Sequence, residues 1–281
     1  MGIFDRALQF VAGSGSNTPT SWPAGLPRDE VERRLASADR SLSRLDLSGA
    51  DLTGLDLAGV DLSHATLRDV KFAGCNLEGA DLSHSCLCNA DFTGARLRGA
   101  NLRDANGIRS GALRPVILER ADLTGVDACG VDFTRGRLAG AILEGAILTE
   151  ASLHKADLTG ARFAGASLGG ANLRHARLDD ADLSGATLDT ADLGAVSAHG
   201  ARFTGARFRR TNLESAILEG ADLIGADLSE ANLGGAVLRG TRLAGAVLRG
   251  ADLDGTILEA AEMDGVDFTG THNHTLRAVA G

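Results

Sequence analysis

"SGADLTGLDLAGVDLSHATL", residues 48–67, places a leucine at every fifth position, Leu52, Leu57, Leu62 and Leu67, with an Asp immediately before the first three. A helix repeats every 3.6 residues and a strand every 2, so a period of five belongs to neither. The frame runs far beyond this stretch. It spans 13 units of five from Leu42 to Leu102, takes one extra residue within "RDANG" (103–107), and resumes at Ile108 for 33 more units to Phe268. Of these 46 centres, 44 are Leu, Ile, Phe or Met, and only Ala128 and Ala198 are small. The residue two before the centre is Ala in 28 units, and the one immediately before is most often Asp or Asn.

Alternation along an extended chain sends the centre and the residue two before it inward. A large centre then fills the interior, a small Ala fits a tight corner, and Gly, frequent two after the centre, supplies the freedom needed for a turn every five residues. Four such sides close a coil of 20 residues, and coils stack by parallel β-type hydrogen bonding. The pattern resembles the pentapeptide-repeat family, written A(D/N)LXX, over about four-fifths of the chain. That resemblance implies an all-β solenoid, a right-handed quadrilateral parallel β-helix of about 11–12 coils with short N-terminal helical segments. At about 4.8 Å per layer the rod is roughly 55 Å long.

Closure after four sides predicts that residues 20 apart stack. Arg162, Asp182, Arg202, Asp222, Arg242 and Glu262 alternate strictly in sign at that spacing, as do Glu219, Arg239 and Glu259. Both read as ion-pair ladders and favour a coil of 20 over a triangular 15. Phe72 stacks on Phe92 and His64 on His84 by the same rule.

Composition bounds the function. There are 37 Gly, no Tyr and one Trp, so a conventional aromatic core is not expected, and a formal charge of −9 disfavours a sequence-independent grip on nucleic acid. No apolar run approaches the roughly 20 residues of a membrane span, and "MGIFDRALQF" carries Asp5 and Arg6 where a secretory signal is apolar, so a cytoplasmic protein is expected. The organisation expected is N-terminal helices and linker over 1–41, the repeat over 42–270 with its irregularity at 103–107, and a tail or cap over 271–281. "IFDRALQFV" (3–11) and "PRDEVERRLASA" (27–38) read as helices, separated by a flexible "GSGSNTPTSWPAG" (13–25), and one or both are expected to cover the open solenoid end. The first could instead dock on a partner. Five Arg (96, 98, 103, 109, 114) cluster around the break, which reads as a bulge or small loop.

Chemistry is scarce. In "HSCLCN", Cys86 and Cys88 flank an inward Leu87 and both point outward beside His84, but no fourth metal ligand is evident and Cys129 lies too far away to complete a site. No nucleophile elbow or zincin motif occurs, and a filled interior implies no pocket, so neither an enzyme nor a bound cofactor or metal is expected.

The surface remains. The row immediately before the centre on one side reads Asp51, Lys71, Asp91, Ala112, Asp132, Ser152, Asn172, Asp192, Asn212, Asn232 and Asp252, mostly acidic or amide-bearing. Asp46, Asp51, Asp56 and Asp61 place one carboxylate on each side of the first coils, and these acids, with Asp91, Asp132, Asp192 and Asp252, form a candidate partner-binding surface. Against this stands the routine role of short polar side chains in bonding local backbone. Ile217, Val237 and Ile257 stand outward on consecutive coils as a candidate homodimer or partner contact. The function expected is a non-enzymatic scaffold binding a protein partner through flat faces. The alternative rests on the resemblance to the quinolone-resistance members, whose acidic rods imitate duplex DNA and occupy gyrase and topoisomerase IV. Here residues 45–95 carry 8 acids against 2 bases, whereas 202–210 hold four Arg and no acid, which breaks a continuous acidic surface.

Overall fold

A computed structural model of the protein describes residues 26–37, 40–105 and 115–272. The expected helix at 3–11, the linker at 13–25 and most of the tail at 271–281 lie outside these residues, as do the repeat centres Ile108 and Leu113. The described residues form a right-handed quadrilateral β-helix preceded by a helix, α1 (Arg28–Leu35). Parallel bridges join residues 20 apart, as in Asp46 to Thr66 and Asp182 to Arg202, so each coil has four five-residue sides. We number the sides 1 to 4 from the centres Leu42, Leu47, Leu52 and Leu57.

Residues 182–186 show why the unit is stable, because each of the five N–H groups has its own acceptor. Asp182 donates to the carbonyl of Ala161 below (2.9 Å), while Leu183 and Gly185 donate to Arg202 and Thr204 above (2.7 and 2.9 Å). Ala186 closes the turn onto Leu183 (3.0 Å), and the last N–H, Ser184, donates to the Asp182 side chain (3.0 Å). With buried amides satisfied, the interior is free to be apolar. Among the described residues the centres from Leu42 to Leu253 are essentially fully buried, as are most of the small residues two before them, and Phe72 and Phe92 stack with centroids 4.7 Å apart.

The third residue of each turn adopts φ near +60° throughout the described coils. Gly takes this position in 26 turns and L-residues in 18, among them Thr190 at φ 59°. This left-handed conformation is open to Gly and strained for a β-branched side chain.

Helix α1 closes the N-terminal end. Val31 is fully buried, and Leu26 and Leu35 pack against the core. The first coil has no layer beneath to bond its downward carbonyls, and α1 and its flanks supply donors instead. Leu26 N–H donates to Asp46 (3.1 Å), Arg28 Nη1 to the carbonyls of Asp51 and Thr53 (both 3.3 Å), and Arg40 to those of Asp56 and Ala58 (3.1 and 3.5 Å).

The irregularity corrects the expected register. Asp91 bridges Ile117, Arg96 bridges Asp122 and Asn101 bridges Asp127, a step of 26 rather than the 21 that a single extra residue gives. The frame stays regular through Ala105, so the six additional residues lie between Ala105 and Ile117. Six is one whole unit plus one residue. The inward and outward phase is therefore as expected, but everything beyond moves back by one side.

Candidate interaction surfaces

The corrected register redistributes the sequence-derived surface residues. Asp51, Lys71 and Asp91 on side 3 continue not to Ala112 and Asp132 but to Ile117, Arg137, Asp157, Arg177, Ser197, Ile217, Val237 and Ile257. The expected eleven-residue polar row is thus two rows. Asp132, Ser152, Asn172, Asp192, Asn212, Asn232 and Asp252 form side 2, above Asp46, Thr66 and Cys86. Asp56 begins side 4, and Asp61 follows Ser41 on side 1. The apolar strip of Ile217, Val237 and Ile257 therefore shares its face with Asp51 and Asp91. Ile217 and Ile257 are 37% and 41% exposed, so the strip is open to contact.

All eight candidate Asp residues commit Oδ1 to their own turn. Each accepts the backbone N–H two residues on: Ser48 onto Asp46, Thr53 onto Asp51, Ala58 onto Asp56, Ser63 onto Asp61, Thr93 onto Asp91, Thr134 onto Asp132, Gly194 onto Asp192 and Asp254 onto Asp252, at 2.9–3.3 Å. The same bond forms wherever Asp or Asn precedes a centre among the described residues, 21 times in all, so this preference is structural first. Charge remains available all the same. Hydrogen bonds from the Thr53 hydroxyl and N–H, with help from Lys71 at 3.3 Å, hold the Asp51 carboxyl down to about 2. Burial pushes Asp61 and Asp182 upward, but hydrogen bonds from Ser63 to the first, and from Arg202 and Ser184 to the second, leave both below the ordinary carboxylate range.

The ladders form in part. Asp182 pairs with Arg202, and Arg242 with both Asp222 (2.8 Å) and Glu262 (3.6 Å), whereas Arg162 pairs with Glu144. Arg239 pairs with Glu259 at 3.0 Å. His64 and His84 stack with centroids 4.9 Å apart. In the Arg-rich band all four guanidinium groups find acids on neighbouring coils, Arg202 with Asp182, Arg207 with Asp189, Arg209 with Asp227 and Arg210 with Glu230, which a linear charge count cannot show.

One cluster escapes a linear reading. At the corner between sides 2 and 3, Arg135, Lys155 and His175 follow one another on consecutive coils beside His154 and Arg174. His154 stands edge-on to His175 at 5.7 Å, and burial, then the nearby Lys155, His175 and Arg135, pushes its imidazole pKa down. The signal was present as basic residues at spacing 20. Among the described residues no group of three or more His, Cys, Asp or Glu is arranged to hold a metal ion, and no helix is long and apolar enough to cross a membrane.

A filled four-sided parallel coil whose turns are closed by Asp and Asn side chains defines the class of protein. The family model described as pentapeptide repeats matches in eight copies within residues 41–106, 117–194 and 199–270, leaving out the insertion. The chain belongs to the pentapeptide-repeat family. It is 32% identical to HetL, a pentapeptide repeat protein involved in heterocyst differentiation regulation from the cyanobacterium Nostoc, over 87% of this chain and 98% of that one, with a TM-score of 0.32. Rfr23 from the cyanobacterium Cyanothece is 39% identical over 32% of this chain and 63% of its own (TM-score 0.32). QnrB1, a plasmid-mediated fluoroquinolone resistance protein, is 21% identical over 82% of this chain and 89% of its own (TM-score 0.34). No curated protein matches the sequence.

Proposed function

We propose that the protein is a non-enzymatic scaffold that binds a protein partner through its flat outer faces. The observation that carries this reading is how the chain uses its residues: the centres fill the interior, the short polar residues close the turns, and variable side chains stand only on the outer faces. The contact assigned is the strip of Ile217, Val237 and Ile257, with a second copy of the chain or another protein as occupant. Val237→Glu places a charge at its middle without touching the core. Sedimentation mass and affinity for a captured partner are expected to fall with this variant, and no change in either removes the strip from the account.

A second reading, a DNA mimic that engages a type II topoisomerase, is favoured by one feature, the carboxylates of Asp46, Asp51, Asp56 and Asp61 on all four sides of the first coils. Beyond them the side 3 row passes into Ile117, Arg137 and Arg177, which interrupts the acidic surface. Gyrase supercoiling, assayed with and without a fluoroquinolone, decides: neither inhibition nor protection by the purified protein eliminates this reading.

A further inference from the structure

We propose that Cys86 and Cys88 form a reversible two-electron redox site, closing a disulfide across the inward Leu87 when hydrogen peroxide reaches them. The two Sγ atoms lie 3.0 Å apart, and the residues are 8% and 6% exposed. Their approach follows from the fold. In the units Asp46-Leu47-Ser48, Asp91-Phe92-Thr93, Asp122-Leu123-Thr124 and Asp227-Leu228-Ser229, the side chains before and after the inward centre meet over it, with oxygen to oxygen distances of 2.5–2.6 Å. Cys86-Leu87-Cys88 places two thiols in the same pair of positions. The backbone around them is pinned: Leu67 donates to the Cys86 carbonyl (2.9 Å), Cys86 to Ala65 (3.0 Å), and Asp69 to the Cys88 carbonyl (3.0 Å). The other two cysteines are placed differently. Cys75 is fully buried with its Sγ against the Leu52 carbonyl (3.0 Å), and Cys129 lies on side 1, away from the column of Cys88.

The chemistry balances in two steps. One thiolate attacks a peroxide oxygen, the O–O bond breaks, and the departing hydroxide takes a proton to leave as water, giving a sulfenic acid. The second thiolate attacks that sulfur, the S–O bond breaks, a second water leaves, and the S–S bond forms. An external thiol reverses the oxidation. The proximity of the pair makes closure intramolecular, so its rate is independent of protein concentration.

The test treats the reduced full chain with hydrogen peroxide, alkylates the remaining thiols, and locates them by mass spectrometry. Alkylatable thiols are expected to fall from four to two, with Cys86 and Cys88 lost together, and to return with dithiothreitol; Cys129→Ser is expected to leave closure intact. Cys88→Ser, with folding checked by circular dichroism, is expected to leave a Cys86 sulfenic acid that dimedone traps. Continued alkylation of both residues, independent sulfinic acids, or a bond to Cys129 each overturns the proposal.

Discussion

At the residue scale the unit assigns different tasks to Asp and to Gly. Because Asp182 and its counterparts accept the last N–H of the turn, removing that acceptor leaves a donor unpaired and removing the charge alone does not. Asp182→Ala is expected to destabilise the coil by about 1–2 kcal/mol in denaturant unfolding, and Asp182→Asn by clearly less, since the amide oxygen still accepts. The strain at the third turn position gives the converse prediction. Thr190→Gly relieves a β-branched residue at φ 59° and is expected to raise stability by roughly 0.5–1 kcal/mol after the entropy cost of Gly. Titration follows from the depressed carboxyls. A group whose folded pKa lies below its unfolded value contributes stability above the unfolded value and loses it as pH falls through the folded one. Asp51, at about 2, and Asp61 and Asp182, both lowered, place that loss on the acid side. Unfolding midpoints followed from neutral pH downward are expected to stay level until the ordinary carboxylate range and decline below it.

At the scale of elements, α1 substitutes for a missing coil. Its apolar residues cover the core, and Arg28 and Arg40 present guanidinium donors to carbonyls that elsewhere accept from a neighbouring layer. Coils contact only their neighbours, so damage here stays local. Arg28→Ala combined with Arg40→Ala is expected to speed amide hydrogen exchange in the first coils, by a factor corresponding to about 1–2 kcal/mol, and to leave amides beyond residue 140 unchanged. Equal acceleration along the whole rod would show that α1 has no local capping role.

At the scale of the molecule, the insertion decides which residues share a face. The period of five, the inward centres, the coil of 20 and a helix within 27–38 were all legible in the sequence, because each repeats or has a compositional signature. The side occupied by Asp132 was not. Looping out a whole unit leaves the phase of Leu118 and everything beyond unchanged, so periodicity is blind to it. Only the pairing of Asp91 with Ile117 reveals the shift. The turn-closing role of the Asp positions was legible as an alternative and is seen in the hydrogen bonds, while the basic corner of Arg135, Lys155 and His175 depended on comparing coils 20 residues apart. In a cysteine-free background, Asp91→Cys with Ile117→Cys is expected to cross-link on oxidation, and Asp91→Cys with Ala112→Cys is not.

The faces, rather than any cleft, carry the proposed function, and a partner's affinity for separate faces tests that most directly. A protein captured on the immobilised full chain and identified by mass spectrometry would be titrated against the wild type, Val237→Glu on side 3, and the pair Asp192→Asn with Asp252→Asn on side 2, which keeps the turn bonds. The account predicts a loss of tenfold or more for Val237→Glu and little change for the side 2 pair. Undiminished binding by both folded variants would contradict it.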